Sequence, residues 1–283
     1  MHARTKPPSL DQLVLLNPRL QPADALAQRV FITGASGGIG LALSRHYAKQ
    51  GAILGLAARR SNELQNLADE LGQPCAVYPL DIRDAEALQQ AAQDFIQRFG
   101  VPDIVIANAG VSRGTLTEHK EDLTAFKAIM DINVLGMVHT FQPFIAAMKT
   151  SPLKGRLVGI ASVAGIRGLP GAEAYSASKA AAISYLESLR IEMGAYGIAV
   201  TTIAPGYIRT PMTDVNTYRM PFLMDVDIAA AKFAHAISRK RRFVVIPWQM
   251  GLIAKCMRLM PPRVWDWLLK KAPHKPRIDC DWL

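Results

Sequence analysis

Cysteine is scarce in this chain, and so is acid. The 283 residues hold three cysteines, Cys75, Cys256 and Cys280, too few and too scattered for a disulfide framework or a zinc site. That usage fits a reducing compartment. No apolar run reaches the roughly 20 residues of a membrane-spanning helix. Near the start, Pro7, Pro8, Asp11, Asn17 and Pro18 interrupt any apolar stretch behind the first basic residues. The pattern predicts no secretory signal and a cytoplasmic protein. Charged residues make up 20% of the chain and hydrophobic ones 50%, which excludes a mostly disordered protein. No internal repeat and no low-complexity segment is present.

The shortage of acid leaves 33 Lys and Arg against 23 Asp and Glu, a formal net charge of +10. Such a balance invites a nucleic-acid reading, but the distribution argues against it. Residues 239–283 carry eleven basic side chains against three acids, a net of +8. Residues 1–28 contribute +1, and the long stretch 29–238 another +1. The body is nearly neutral and the C-terminal tail is basic.

From Arg29 onward, short apolar runs alternate with amphipathic stretches of 10 to 15 residues. Val30–Thr33, Ala52–Ala57, Cys75–Leu80, Asp103–Ala107, Leu157–Ala161, Ala199–Ala204 and Phe243–Ile246 read as strands. Ile39–Gln50, Asn62–Leu71 and Ala85–Phe99 read as helices between them. Near-continuous apolar strands alternating with helices predict βαβ units and a parallel sheet covered on both faces. The fold class is therefore α/β, a doubly wound Rossmann-type sheet over residues 29–247. Residues 1–28 and 248–283 are extensions, the second one helical.

The first strand runs into Thr33-Gly34-Ala35-Ser36-Gly37-Gly38-Ile39-Gly40. Glycines at 34, 38 and 40, between a strand and a helix, let the backbone approach a pyrophosphate at a helix N-terminus. A tight strand-to-helix turn needs the same glycines, so the loop alone is weak support. The second strand sharpens the reading. Where an NAD site places an acid about 20 residues further on, this chain has Ala58, Arg59 and Arg60. Two guanidiniums and no carboxylate favour a 2′-phosphate, hence NADP, although arginines also cap ordinary loops. Asp81-Ile82 and Asn108-Ala109-Gly110 follow the third and fourth strands, where an adenine ring and ribose are bordered in open α/β sheets. No metal is expected.

The chemical end lies further on. Tyr175 and Lys179 are four apart and share a helix face. A tyrosine is a poor acid–base group near neutrality, and a nearby ammonium is expected to lower its pKa. Ser162 follows the fifth strand, where its hydroxyl can hold a substrate oxygen beside the Tyr175 hydroxyl.

Together these features resemble the short-chain dehydrogenase/reductase family. The matching positions are Thr33–Gly40, Asn108-Ala109-Gly110, Asn133 within Met130–Gly136, Ser162, Tyr175 with Lys179, and Pro205-Gly206 with Thr210. The resemblance implies a tetrad of Asn133, Ser162, Tyr175 and Lys179. Tyr175 would be the general acid/base, Ser162 would orient the carbonyl, Lys179 would bind the nicotinamide ribose, and Asn133 would hold a relay water. The alternative for Asn133 is a helix-to-strand hydrogen bond with no catalytic part, and both roles are expected together. Pro205, Gly206, Ile208 and Thr210 would border the nicotinamide, and Tyr207 the substrate. Many NADP-preferring relatives carry a basic residue where this chain has Gly37, which leaves the NADP reading on Arg59 and Arg60. A homodimer or homotetramer is also expected. The alternative on the same fold is a non-catalytic NADPH-binding sensor or scaffold, which has no use for Ser162 and Tyr175 together.

The variable substrate loop falls at about 211–225 and contains Met212, Tyr218, Met220, Phe222, Leu223 and Met224. This set suits a flexible lid over a lipophilic substrate, or the core face of a helix. Beyond Pro247, two short helices interleave Trp248, Trp265, Trp267, Met and Leu with Lys and Arg. That mixture matches an interfacial helix on an anionic membrane. Packing on the parent domain or a second subunit is the other reading.

Overall fold

The computed structural model describes residues 27–277. The expected N-terminal extension, except its last two residues, lies outside that range, as does Cys280. Seven strands form one parallel sheet: β1 (Arg29–Thr33), β2 (Ile53–Ala58), β3 (Cys75–Pro79), β4 (Ile104–Ala107), β5 (Arg156–Ile160), β6 (Ala199–Pro205) and β7 (Phe243–Ile246). Their order is β3-β2-β1-β4-β5-β6-β7, with every neighbouring pair parallel. The chain winds outward from β1 to β3, then crosses back to β4 and winds the other way. The reversal between β1 and β4 opens a crevice at the carboxyl ends of the strands, where ligands bind in such sheets.

Seven helices join the strands. They are α1 (Gly38–Ala48), α2 (Ser61–Leu71), α3 (Ala85–Phe99), α4 (Asp122–Met130), α5 (Gly136–Thr150), α6 (Glu173–Gly194) and, after a four-residue turn α7 (Pro211–Asp214), α8 (Val226–Ser238), which makes eight with that turn. Two more, α9 (Trp248–Leu259) and α10 (Pro262–Leu269), follow β7. Expected and observed boundaries differ by at most one residue at either end of each strand.

Alternation along the strands divides the core. In β1, Val30 and Ile32 face one apolar cluster with Leu43, Leu54 and Phe233. Phe31 faces the other, with Phe95, Phe144 and Leu157. Successive side chains on a strand point to opposite faces, so a run apolar at every position must be covered on both. Phe31 is fully buried, with ring centroids 4.8 Å from Phe144 and 5.7 Å from Phe95. Truncating such a ring to alanine costs about 3–5 kcal/mol.

Two local departures from regular structure position the site. Between α4 and α5 the chain takes one wide π turn, Asp131–Leu135, in which Gly136 donates its N–H to the Asp131 carbonyl. Such bulges are concentrated at functional sites. After β5, Ser162 caps a 3₁₀ turn, Val163–Gly165, by accepting a hydrogen bond from Ala164 N at 3.1 Å.

Candidate active site

At the end of β1 the backbone turns sharply. Gly34 takes φ +68°, and a Cβ there would come within 2.8 Å of Ala109 Cα. Gly40 lies so close to the Gly34 carbonyl that any side chain would overlap it. These two glycines press the turn against β4 and the start of α1. Asn108 locks the arrangement, its Nδ2 donating to Thr33 O at 3.0 Å and to Gly34 O at 3.2 Å. The backbone N–H groups at the start of α1 then face the crevice, an arrangement suited to an anion.

Arginines gather beside this loop. Arg60 Nη2 donates to the Ser36 carbonyl at 2.9 Å and to its hydroxyl at 3.1 Å. Arg59 and Arg60 line the same cleft. Asp81 borders it further along. Burial acts to raise the Asp81 pKa, but hydrogen bonds from Arg83 and the nearby charges of Arg83 and Arg59 outweigh it and hold the carboxyl below its usual range.

Ser162, Tyr175 and Lys179 meet at the opposite end. Ser162 is 9% exposed and Lys179 4%. Lys179 Nζ donates to Ile160 O at 3.0 Å and lies 5.8 Å from the centre of the Tyr175 ring. Burial raises the Tyr175 phenol above its ordinary range, and the facing Ser162 hydroxyl offsets only part of that rise. Burial also lowers the Lys179 ammonium to about 8. The expectation of a phenol lowered by Lys179 is thus reversed, because desolvation dominates and the ammonium is turned toward the end of β5.

Asn133 sits in the π turn, 1% exposed. Its Oδ1 accepts from Val111 N at 2.8 Å, and its Nδ2 donates to Val111 O at 3.0 Å and Ser178 Oγ at 2.9 Å. The amide thereby fixes the loop after β4 against α6. The structural account of Asn133 has direct support in these three bonds.

One cleft of about 490 Å³ joins both ends. It is lined by Gly34, Ser36, Gly38, Ile39, Arg59, Arg60, Asp81, Ile82, Asn108, Ala109, Gly110, Ser162, Tyr175, Lys179, Pro205, Gly206, Ile208 and Thr210. Of the expected site residues, Gly40, Asn133 and Tyr207 do not line it. Gly40 packs behind the turn and Asn133 behind the loop. The Tyr207 ring packs instead near Val163 and Met250, edge-on to Tyr218 at 6.4 Å.

The model of the short chain dehydrogenase family matches residues 28–219. The chain belongs to that family. Among relatives of this dehydrogenase, an uncharacterized oxidoreductase of Myxococcus xanthus is 34% identical over 86% of this chain and 97% of its own. The 11-beta-hydroxysteroid dehydrogenase A of Sesamum indicum is 33% identical over 87% of this chain and 76% of its own. An alcohol dehydrogenase of the archaeon Thermococcus sibiricus, solved with 5-hydroxy-NADP, superposes with a TM-score of 0.69 at 26% identity, covering 78% of this chain and 96% of that one. A short chain dehydrogenase of Burkholderia cenocepacia, solved with NADP, shares the fold with a TM-score of 0.75 at 24% identity, covering 87% and 98%.

Sequence reasoning missed several residues that shape the site of this dehydrogenase. Ser178 bridges Asn133 to the Tyr175 carbonyl, and it reads in the sequence only as a spacer between Tyr175 and Lys179. Arg83 holds Asp81 and gives no motif signal. Arg167 donates to the Met257 and Met260 carbonyls at 2.5 and 2.6 Å and covers the Trp265 ring at 4.7 Å. It ties the loop after β5 to the C-terminal helices, a contact that no local pattern announces.

Proposed function

We propose that this dehydrogenase is an NADP(H)-dependent oxidoreductase that interconverts a ketone and a secondary alcohol on a lipophilic substrate, with Tyr175 as the general acid/base. The observation that carries the reading is the meeting of Ser162, Tyr175 and Lys179 at one end of the cleft whose other end holds the glycine turn and Arg60. The Thermococcus sibiricus alcohol dehydrogenase solved with 5-hydroxy-NADP and the plant hydroxysteroid dehydrogenase support the same assignment.

The residues fit a dinucleotide. The loop Ser36–Gly38 and the start of α1 would hold the pyrophosphate, and Arg59 and Arg60 the 2′-phosphate. Asp81, Ile82 and Asn108–Gly110 would border the adenosine. Lys179 would hold the nicotinamide ribose, with Pro205, Gly206, Ile208 and Thr210 beside the ring. When bound, this cofactor supplies or accepts the hydride. In the reductive direction Ser162 positions the carbonyl oxygen and Tyr175 gives its hydroxyl proton to that oxygen, so the carbonyl becomes an alcohol and the phenol a phenolate. The raised phenol pKa keeps that proton in place at neutral pH. Lys179, cationic below about 8, would stabilise the phenolate by turning its ammonium from the Ile160 carbonyl toward the Tyr175 oxygen.

Lipophilicity of the substrate rests on the loop after β6. Met212 and Val215 line the cleft, and Phe222 is half exposed nearby in sequence. The deciding experiment follows NADPH oxidation with a panel of ketones, 3-oxo lipids and steroids, with NADH in parallel. Tyr175→Phe is expected to lose about 100- to 10,000-fold in kcat while still binding NADPH. Retained turnover in that variant removes Tyr175 as the acid.

Contact with an anionic membrane surface through α9 and α10 belongs to the same proposal. Among the described residues no helix is long and apolar enough to cross a membrane. Met250 and Ala254 dock α9 on the body, while Trp248, Leu252, Leu259, Trp267 and Leu268 remain exposed beside Lys255, Arg258 and Arg263.

A further inference from the structure

After α10 the chain doubles back across the active site. Residues 272–277 run without regular structure over the three loops that follow β4, β5 and β6. On the first loop, Gly114 donates its N–H to the Pro276 carbonyl at 3.0 Å and lies so close to the Lys275 carbonyl that any side chain there would overlap it. On the second, Gly171 (φ +69°) lies against His274, where a Cβ would collide. On the third, Lys275 Nζ donates to Met212 O at 3.5 Å. The same ammonium lies 5.8 Å from the centre of the Tyr175 ring. Loops one and two are themselves joined, through Thr115 N to Gly171 O at 3.3 Å.

The end of this strap is pinned. Arg277 donates to both carboxylate oxygens of Asp122, at 2.8 and 3.2 Å. Asp122 is 2% exposed, accepts from Leu116 N at 2.8 Å and has Arg113 at 3.6 Å. An ionised carboxylate buried this deeply requires its partners. Two guanidiniums supply them, Arg113 from the loop after β4 and Arg277 from the tail.

We propose that the strap, residues 274–277, is the specificity-determining outer wall of the substrate pocket, held shut by the Asp122–Arg277 clasp. It rests on Tyr175 being the acid of a ketone reductase. A ketone seated on Tyr175 and Ser162 would have the strap on one side, where the Lys275 ammonium lies 5.8 Å from the ring centre. With the clasp closed, the space beside Tyr175 admits slender ketones and excludes bulky ones. With it open, the discrimination weakens.

Two variants test this. Arg277→Ala breaks the clasp and leaves the tail in place; a chain stopped after Pro273 removes the strap. NADPH binding by fluorescence confirms that each is folded. The measurement is kcat/KM for a slender open-chain ketone against a fused-ring ketone. The slender-to-bulky ratio is expected to fall about tenfold in the shortened chain and at least threefold in Arg277→Ala, through KM of the bulky ketone. Hydrogen exchange of the segment 111–117 is expected to quicken in both variants, because the Gly114 amide loses its acceptor in the shortened chain and holds it less often once the clasp is broken. An active wild type whose ratio and exchange are unchanged in both variants overturns the strap alone. A wild type that binds NADPH but reduces no ketone removes the reductase reading, and the strap proposal falls with it.

Discussion

Arg60 reaches across the floor of the cleft to Ser36, its Nη2 2.9 Å from the backbone oxygen and 3.1 Å from the hydroxyl. The same nitrogen fills the space beside Gly37, where a Cβ would come within 2.9 Å of it. The basic group that many NADP-preferring relatives carry at that point of the loop is absent from position 37, and the end of β2 supplies one to the same place.

This placement makes Arg60→Ala a test of cofactor choice. A hydrogen bond to a charged group contributes about 1.5–3 kcal/mol, or roughly 10- to 100-fold. KM for NADPH is expected to rise by that factor, with KM for NADH changing less than about threefold. An equal loss for both cofactors would assign Arg60 to shaping the loop through Ser36 and not to phosphate recognition.

Asn133 presents a different balance, since its amide is spent on protein groups. Replacing it by alanine leaves Val111 N and O without their partner at a position where the asparagine itself is 1% exposed. Each unsatisfied buried group costs about 1–3 kcal/mol. With two such groups and about 2–4 °C per kcal/mol for a domain of this size, the variant is expected to melt roughly 5–20 °C below wild type. Ser178→Ala, which removes one bond of the three, is expected to fall by less than half as much. A melting temperature unchanged in Asn133→Ala, with activity lost, would return the residue to a purely chemical role.

The contrast between Asn133 and Arg60 also explains what the sequence makes legible. The sheet was readable because parallel strands are buried on both faces, so Val30, Phe31 and Ile32, like Ile104–Ala107, are apolar at every position. The glycine turn and the Tyr175–Lys179 pair were readable because their chemistry is local, within eight residues or one helical turn. Arg167 on the α9 carbonyls, Asn133 on Val111 and Arg277 on Asp122 were not readable. They join residues 93, 22 and 155 positions apart at the farthest, and nothing in either partner's neighbourhood encodes the other. The Tyr175 pKa was misjudged for a related reason. Its sign depends on burial, which the spacing of a tyrosine and a lysine does not contain.

The tail's exposed face leads to a lipid prediction. Trp248 is 68% and Trp267 74% exposed, on helices that also carry Lys255, Arg258 and Arg263. Burying aromatic rings at the headgroup boundary, and roughly 1 kcal/mol per basic residue near an anionic surface, favour binding. Vesicles with about one-third phosphatidylserine are expected to carry the protein in flotation at low salt, while neutral vesicles do so weakly. The Trp248→Ala/Trp267→Ala double variant is expected to lose about tenfold in affinity. Equal flotation by the variant and wild type would take this face out of any membrane contact.

Lys179 is held in a site that opposes its charge, and this sets the sign of a stability experiment. Burial brings its pKa from 10.5 in the unfolded chain to about 8 in the folded one. Between these values the unfolded chain binds the extra proton, so stability attributable to this residue rises with pH across the window. Below about 8 the folded protein carries the full cost of a buried ammonium. Lys179→Met keeps most of the volume and removes the charge. Its melting temperature at pH 7 is therefore expected to equal or exceed that of wild type, and its advantage to shrink as pH rises from 8 toward 10. Its kcat with NADPH is expected to fall at least 100-fold, because the phenolate left by Tyr175 loses its nearby cation. A variant both less stable at pH 7 and insensitive to pH between 8 and 10 would mean that the bond to Ile160 O outweighs desolvation, and that Lys179 is held there for structure.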